Sequence, residues 1–122
     1  MGDFSFSGKD RLLDASEFSR VFDNAEARAS HKHVLFLATR NRLERNRLGM
    51  VVAKKNVRLA VQRNRFKRVT REFFRHCPPL HGGLDVVILA RRGVDLLDNA
   101  SLSTILRQQW QKLTRSQLSP PD

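Results

Sequence analysis

The sequence of 122 residues has a single cysteine and no long apolar run. Because Cys77 has no second cysteine to pair with, it cannot form a disulfide within the chain, which is typical of a reducing compartment. No apolar run approaches the ~20 residues of a transmembrane span. The first ten residues, MGDFSFSGKD, also lack the apolar segment of a signal peptide. We therefore expect a cytoplasmic protein that does not enter a membrane.

The sequence also lacks the motifs of most protein enzymes. It has no GxxxxGK[ST] phosphate loop, no GxGxxG after a predicted strand and no recognisable nucleophile–base pair. Asp85 lies within a predicted strand and Asp98 is placed to cap a helix, so they are not read as a catalytic carboxylate cluster. The spacing of a zinc site is absent from the remaining candidate ligands, which are His31, His33, His76, Cys77 and His81. We expect no catalytic residue and no metal site within this chain.

Positive charge is what the sequence has in excess. It contains 23 Lys and Arg against 12 Asp and Glu, a formal net charge of +11. Residues 54–75, KKNVRLAVQRNRFKRVTREFFR, contain nine Lys or Arg and one acid, Glu72, and so carry most of that excess. Charge concentrated in this way predicts a surface for a polyanion. Nucleic acid is the leading class of partner, and an anionic membrane surface is the alternative.

The spacing within residues 54–75 predicts an amphipathic helix that starts near Val61. At 100° per residue one stripe contains Leu59, Gln62, Phe66, Val69 and Phe73, and the other side contains Asn64, Arg65, Lys67, Arg68, Arg71 and Arg75. We expect the helix to bury the two Phe and Val69, to present the cations outward, and to follow a loop over residues 57–60. Like charges repel along such a face, and a bound anion would relieve that repulsion.

The whole chain is read as one α+β domain, residues 1–122, in the order α-β-β-α-β-α with room for one more short strand. An arm over residues 1–10 precedes a helix that is capped by Asp14 or Ser16 and ends at Phe22. The strands are predicted at His33–Arg40, Leu48–Lys55 and Leu84–Ala90, and their apolar content places the second at the centre of the sheet. The connecting segments are a loop at Asn24–Lys32, a basic turn at Asn41–Arg47 and Cys77-Pro78-Pro79, which ends the basic helix. Asp98, Asn99 or Ser101 caps a last helix before a flexible tail over residues 114–122.

The basic helix resembles a known family. Arg63-Asn64-Arg65-Phe66-Lys67-Arg68 is similar to the RNR-x-KR signature of the protein subunit of bacterial ribonuclease P. The preceding Ala53-Lys54-Lys55-Asn56 and the upstream Phe18-Ser19-Arg20-Val21-Phe22 also resemble that family, and the similarity extends from about Arg11 to Trp110. The RNR triplet alone is weak, because Arg40-Asn41-Arg42 and Arg45-Asn46-Arg47 repeat it without the surrounding pattern.

The resemblance implies a fold, a function, and separate roles for the protein and its RNA partner. The fold would be an α/β sandwich like the second domain of a small-subunit ribosomal protein, with a left-handed β-α-β crossover. The partners would be the catalytic RNA, bound 1:1, and precursor tRNA, whose 5′ leader is removed by an RNA that holds the Mg²⁺. The RNA-binding positions would be Lys54, Lys55, Arg58, Arg63, Asn64, Arg65, Lys67, Arg68, Arg71 and Arg75. The leader would lie in a cleft lined by Phe18, Phe22 and Phe36, the last standing where the family often has Tyr.

Composition alone leaves two alternatives open. Two Phe at helical spacing, such as Phe18 and Phe22, are more often core residues than contact residues, and it is the resemblance that assigns them to a cleft. A non-enzymatic RNA-binding protein of the same fold, ribosomal or in assembly, would also carry a basic helix. The aromatic set favours the ribonuclease P interpretation, because a purely structural RNA-binding protein has no evident need of a single-strand cleft.

Overall fold

The computed structural model describes residues 15–79 and 82–116. The arm predicted for residues 1–10, the predicted helix cap Asp14 and the last part of the predicted tail, residues 117–122, lie outside the described residues. The first helix ends at Asn24, two residues beyond the predicted Phe22. The elements in chain order are α1 (Ala15–Asn24), β1 (Ala27–Ser30), β2 (Val34–Arg40), β3 (Arg47–Val51), α2 (Ala60–Arg75), β4 (Leu84–Ala90) and α3 (Asn99–Ser116). A short 3₁₀ turn, Val94–Leu96, precedes α3. The α+β class is confirmed, and the extra short strand is β1.

The four strands form one sheet in the order β1-β2-β4-β3. β2 pairs antiparallel with both β1 and β4, whereas β3 runs parallel to β4 and is joined to it through α2. β3 is therefore an edge strand, and the prediction that it is central was wrong. β3 is apolar on both of its faces because helices cover both sides of the sheet. Leu48 faces the α2 and α3 layer, and Val51 faces α1. The left-handed sense of the crossover stays a prediction.

The largest differences from the predicted strands are at β1 and at the end of β3. The loop predicted for Asn24–Lys32 contains β1, in which buried Ala27 and Ala29 alternate with exposed Arg28 and Ser30. That period of two was hidden because alanine gives a weak hydrophobic signal. β3 ends at Val51 rather than Lys55, because the chain turns at Ala53, whose carbonyl accepts two backbone N–H groups.

Apolar cores lie on both faces of the sheet. Phe66 and Val69 of α2 are buried as predicted, but Phe73 is only partly buried and Phe74, at 3% exposed, takes the deeper position. Leu59 does not belong to the buried stripe, because it precedes the first turn of α2 with an extended backbone and is 61% exposed. At the start of α3, Asp98 is the predicted cap, with its Oδ1 accepting the Ser101 N–H at 2.8 Å. α3 itself runs to Ser116 and so includes the first three residues of the predicted tail.

Candidate nucleic-acid interface

The loop that leads into α2 is fixed to the body of the protein at its base. The Ala53 carbonyl accepts the N–H groups of Asn56 and Val57, both at 3.0 Å. Val57 is fully buried, and Asn56 donates from Nδ2 to the Ala90 carbonyl at the end of β4, at 3.2 Å. Lys54 and Lys55 are consequently held at an exposed turn at the edge of the sheet.

Two of the predicted RNA-binding arginines, Arg63 and Arg65, brace the protein itself. Arg63 donates from Nη1 to the carbonyls of Val57 and Arg58, at 3.1 and 2.9 Å, and so ties the loop to the first turns of α2. Arg65 donates from Nη1 to Asn99 Oδ1 at 2.8 Å and reaches the start of α3. Helical geometry explains why these two arginines bind other parts of the protein. Both side chains leave the flanks of α2 rather than its outer face. Sequence periodicity missed this role, because their acceptors lie in other elements.

The outer face of α2 presents cations with no partner of their own. Asn64 and Arg68 are exposed, while Lys67 and Arg71 are half-buried. Within residues 15–79 and 82–116, the side chains of these four residues make no hydrogen bond or ion pair. Arg75 differs, because it pairs with Glu72 three residues earlier. The predicted cationic surface is therefore present, but it is narrower than the sequence suggested. We call it the α2 surface, and it consists of Lys54, Lys55, Arg58, Asn64, Lys67, Arg68 and Arg71.

A second candidate surface lies where α1 crosses the other face of the sheet. Val21 is buried against Leu37 and Val87, and Phe18 is half-buried beside them. Phe22 is 44% exposed. The half-buried sheet residues on this face are Leu35, Val51 and Leu89. Phe18, Phe22 and these three residues define what we call the aromatic cleft.

Phe36 does not line this cleft, so that prediction was wrong. Its side chain is fully buried on the opposite face of the sheet and meets Phe73 of α2 edge-on, with ring centroids 6.4 Å apart. Successive side chains of a strand alternate between faces, so the neighbours Leu35 and Leu37 face α1 instead. Phe36 is a core residue.

α1 is positioned by a buried carboxylate. Asp85 of β4 is fully buried and accepts hydrogen bonds from Arg20 of α1, Asn41 and Arg47, at 2.6–2.8 Å. Arg47 also donates to Glu17 of α1 at 2.6 Å. Burial raises the pKa of Asp85, but the bonds from Arg47, Asn41 and Arg20 outweigh it, and the net shift is downward. Asp85 is therefore ionised at neutral pH and helps to hold α1 at a fixed position on the sheet.

Comparisons with known proteins give the family. The family model described as Ribonuclease P matches residues 6–114, which is most of the chain. The chain belongs to the ribonuclease P protein family. The ribonuclease P protein component of Pseudomonas aeruginosa is 47% identical over 111 residues, covering 91% of this chain and 82% of that protein. The component of Marinobacter nauticus is 43% identical over 119 residues, covering 97% and 89%.

Solved ribonuclease P proteins have the same fold. A Thermotoga maritima RNase P protein, in complex with 1-(4-fluorophenyl)-2-thiourea, superposes with a TM-score of 0.71 at 27% identity, covering 86% of this chain and 98% of that one. A Staphylococcus aureus RNase P protein superposes with a TM-score of 0.75 at 22% identity, covering 84% and 94%, which supports the fold alone. This chain is thus a protein component of the ribonuclease P ribonucleoprotein, and RNA binding and tRNA processing follow from the family.

The described residues of this ribonuclease P protein contain no cluster of metal ligands and no membrane-spanning helix. In residues 15–79 and 82–116, no three His, Cys, Asp or Glu side chains come together as metal ligands would. No helix in these ranges combines the length and apolar character needed to cross a membrane. Burial raises the pKa of the Cys77 thiol to about 12, so this thiol stays protonated at neutral pH and is a poor nucleophile.

Proposed function

We propose that this protein binds the catalytic RNA of ribonuclease P through the α2 surface and holds the 5′ leader of precursor tRNA in the aromatic cleft. The RNA supplies the catalytic groups and most of the ligands of Mg²⁺, and it removes the leader to give the mature 5′ end. The protein contributes binding and positioning rather than a reacting group. We expect a 1:1 complex located in the cytoplasm.

The observation that carries the proposal is the lack of counter-charges on the α2 surface. Arg68 and Arg71 have no acidic partner within the described chain, and Asn64, one turn before Arg68, offers an amide without adding charge. Guanidinium groups bind phosphate oxygens bidentately, so these side chains suit an RNA backbone better than a neutral partner. The braces from Arg63 and Arg65 hold α2 and its loop in place before binding, which reduces the entropy lost on docking.

The aromatic cleft has the chemistry of a site for single-stranded RNA. Phe22 is exposed at the side of α1, and Phe18 beside it leads down to apolar residues of the sheet. Bases stack on aromatic rings at ~1–3 kcal/mol each and without sequence readout, which suits leaders of varied sequence. The Asp85 cluster supports this role because it fixes α1, and with it both rings, relative to the sheet.

Phosphate neutralisation links the protein to the metal-dependent step. Where the leader and the catalytic RNA converge on the protein, their phosphates repel each other. Lys and Arg side chains there lower that repulsion and so help Mg²⁺ to occupy sites built from RNA oxygens. The protein is therefore expected to reduce the Mg²⁺ concentration that cleavage requires.

Reconstitution with the large catalytic RNA is the direct test. Release of the 5′ leader from precursor tRNA is measured at low Mg²⁺ with and without the protein, and again with a precursor whose leader is cut to one nucleotide. We expect the protein to stimulate cleavage at low Mg²⁺ and to favour the long leader. Equal rates with and without the protein at every Mg²⁺ concentration would refute the proposal.

A further inference from the structure

A polar pocket lies between α1 and the end of β2 and belongs to neither surface described above. It is lined by Arg20, Asn24, Glu26, Arg40, Asn41 and Arg42, together with Thr39. We call it the Arg42 pocket. Three of its side chains are cationic and one is acidic, so its charge is net positive although it lies outside residues 54–75.

The wall of the Arg42 pocket is fixed by hydrogen bonds. Asn41 donates from Nδ2 to the Arg45 carbonyl at 3.0 Å and to Asp85 at 2.8 Å, and its Oδ1 accepts the Leu43 N–H at 2.8 Å. Glu26 accepts the Arg40 backbone N–H at 2.7 Å and the Thr39 hydroxyl at 3.0 Å through the same oxygen, Oε1. The pocket therefore has a defined shape before any ligand binds.

The ligand-facing donors come from Arg20, Asn24 and Arg42. Arg20 donates from Nη2 to Asp85 Oδ2 at 2.6 Å. Its side chain is nevertheless 43% exposed, and its guanidinium has four further N–H groups that can bind a ligand. Asn24 and Arg42 are exposed, and within the part of the chain that the structure describes their side chains have no hydrogen-bond partner. Two guanidinium groups and an amide converging on one polar pocket make a set of donors for a tetrahedral anion.

The pocket is separated from the aromatic cleft by the body of α1. Phe18 and Arg20 are two positions apart on the helix, about 200° around its axis, so they leave opposite flanks. Val21 between those flanks is buried against the sheet. A phosphate in the pocket would therefore belong to a different stretch of RNA from the bases that stack on Phe18 and Phe22.

We propose that the Arg42 pocket binds a phosphate group of the RNA backbone as a contact separate from the α2 surface and the aromatic cleft. Only the identification of the phosphate as part of RNA rests on the proposed function. The anion-binding chemistry itself is a property of Arg20, Asn24 and Arg42. Glu26 limits the affinity, because its carboxylate lies in the same pocket.

The first experiment uses the protein alone and inorganic pyrophosphate as the probe. In ¹H–¹⁵N NMR spectra we expect saturable shifts at the Arg42 amide and the Asn24 side chain. Arg42→Asn should weaken this binding about tenfold, as expected for one charge-assisted contact, while shifts on α2 persist. Asn is chosen because Arg42 has φ +60°, a conformation that Asn tolerates well. Glu26→Gln should tighten binding, and the absence of saturable shifts at the pocket would overturn the proposal.

The second experiment identifies the source of the phosphate. The affinity of the protein is measured for the catalytic RNA, and that of the holoenzyme is measured for precursor tRNA. Arg42→Asn should lower one of these affinities about tenfold. Arg115→Gln, which removes one exposed charge from the end of α3 on the other side of the sheet, should lower neither by more than about twofold. Pyrophosphate binding with both RNA affinities unchanged would overturn the assignment to RNA. If the wild-type protein bound pyrophosphate but did not stimulate leader removal, that result would count against the proposed function only.

Discussion

Arg47 holds Asp85 through two nearly parallel hydrogen bonds, 2.7 Å from Nε to Oδ1 and 2.8 Å from Nη2 to Oδ2. This bidentate pair joins neighbouring parallel strands β3 and β4, and Arg47 continues to Glu17 of α1. A single buried carboxylate thus connects the edge of the sheet to the helix that carries Phe18 and Phe22. The position of the aromatic cleft therefore depends on an ion-pair cluster built from other residues.

The first prediction concerns this cluster. Asp85→Asn should lower the free energy of unfolding by about 3 kcal/mol at pH 7, because it leaves Arg20 without its counter-charge and Arg47 with Glu17 alone. The folded pKa of Asp85 lies below the unfolded value, near 3.9, so its stabilisation is present above that pH and is lost as the pH falls through the folded pKa. Urea unfolding between pH 7 and pH 2 should therefore show the difference between wild type and variant shrinking in acid. Asp23→Asn on the exposed face of α1 is the control, and an equal loss there would contradict the prediction.

The importance of Asp85 could not be predicted from the sequence. Its partners Arg47, Asn41 and Arg20 lie 38, 44 and 65 residues away, so no local pattern joins them. The sequence did predict the position and amphipathic character of α2, because helical spacing is a local property and Phe66 and Val69 follow it. What it could not predict was which arginines of that helix would turn back to carbonyls and amides of other elements, as Arg63 and Arg65 do.

Phe36 shows a second reason why the site could not be fully predicted from the sequence. The resemblance placed an aromatic residue at that position, but the face of the sheet to which it points depends on the pairing register. Phe36 lies opposite Ile88 of β4, and both side chains are fully buried in the core against α2 and α3. The strand itself was predicted within one residue of its bounds, and the face assigned to Phe36 was wrong.

The second prediction separates Phe22 from Phe36. Phe22→Ala should weaken binding of precursor tRNA with a long leader by about 1–3 kcal/mol, because one stacking ring is lost, and leave stability nearly unchanged. Phe36→Ala should cost about 3–5 kcal/mol of folding stability, because it opens a cavity in the core. Holoenzyme affinities for precursors with long and one-nucleotide leaders, together with thermal unfolding, distinguish the two effects. A leader-independent loss for Phe22→Ala would remove Phe22 from the leader site.

The third prediction concerns Arg68 on the α2 surface. Arg68→Ala should weaken binding of the catalytic RNA and reduce the slope of log K against log salt by roughly 0.7–0.9, the value for one phosphate contact. Stability should change by less than about 0.5 kcal/mol, because the side chain is exposed and makes no hydrogen bond or ion pair within the described residues. Arg115→Ala provides the control. An unchanged salt slope would exclude Arg68 from the phosphate contacts.

The fourth prediction contrasts Arg63 with Arg68. Arg63→Ala should destabilise the protein by about 1–2 kcal/mol, since the carbonyls of Val57 and Arg58 lose their donor. Amide exchange should accelerate at residues 54–59 in the Arg63 variant and stay unchanged in the Arg68 variant. If both variants weakened RNA binding with no change in exchange, Arg63 would act as a phosphate contact rather than as a brace.

The last prediction tests whether any group of this chain takes part in the chemistry. Glu72→Ala, His76→Ala and Glu17→Ala each remove an ionisable side chain near α2 or α1, and each should leave the cleavage rate of the holoenzyme largely intact at saturating Mg²⁺. A protein general acid or base would contribute ~10²–10⁴-fold, so its loss could not be hidden by added Mg²⁺. An Asp85 variant should be assayed only after it is shown to be folded, because removal of this carboxylate disturbs the position of α1. A hundredfold loss in a fully folded variant would place a catalytic group in the protein, whereas uniform retention fits a chain that binds two RNAs while RNA carries out the cleavage.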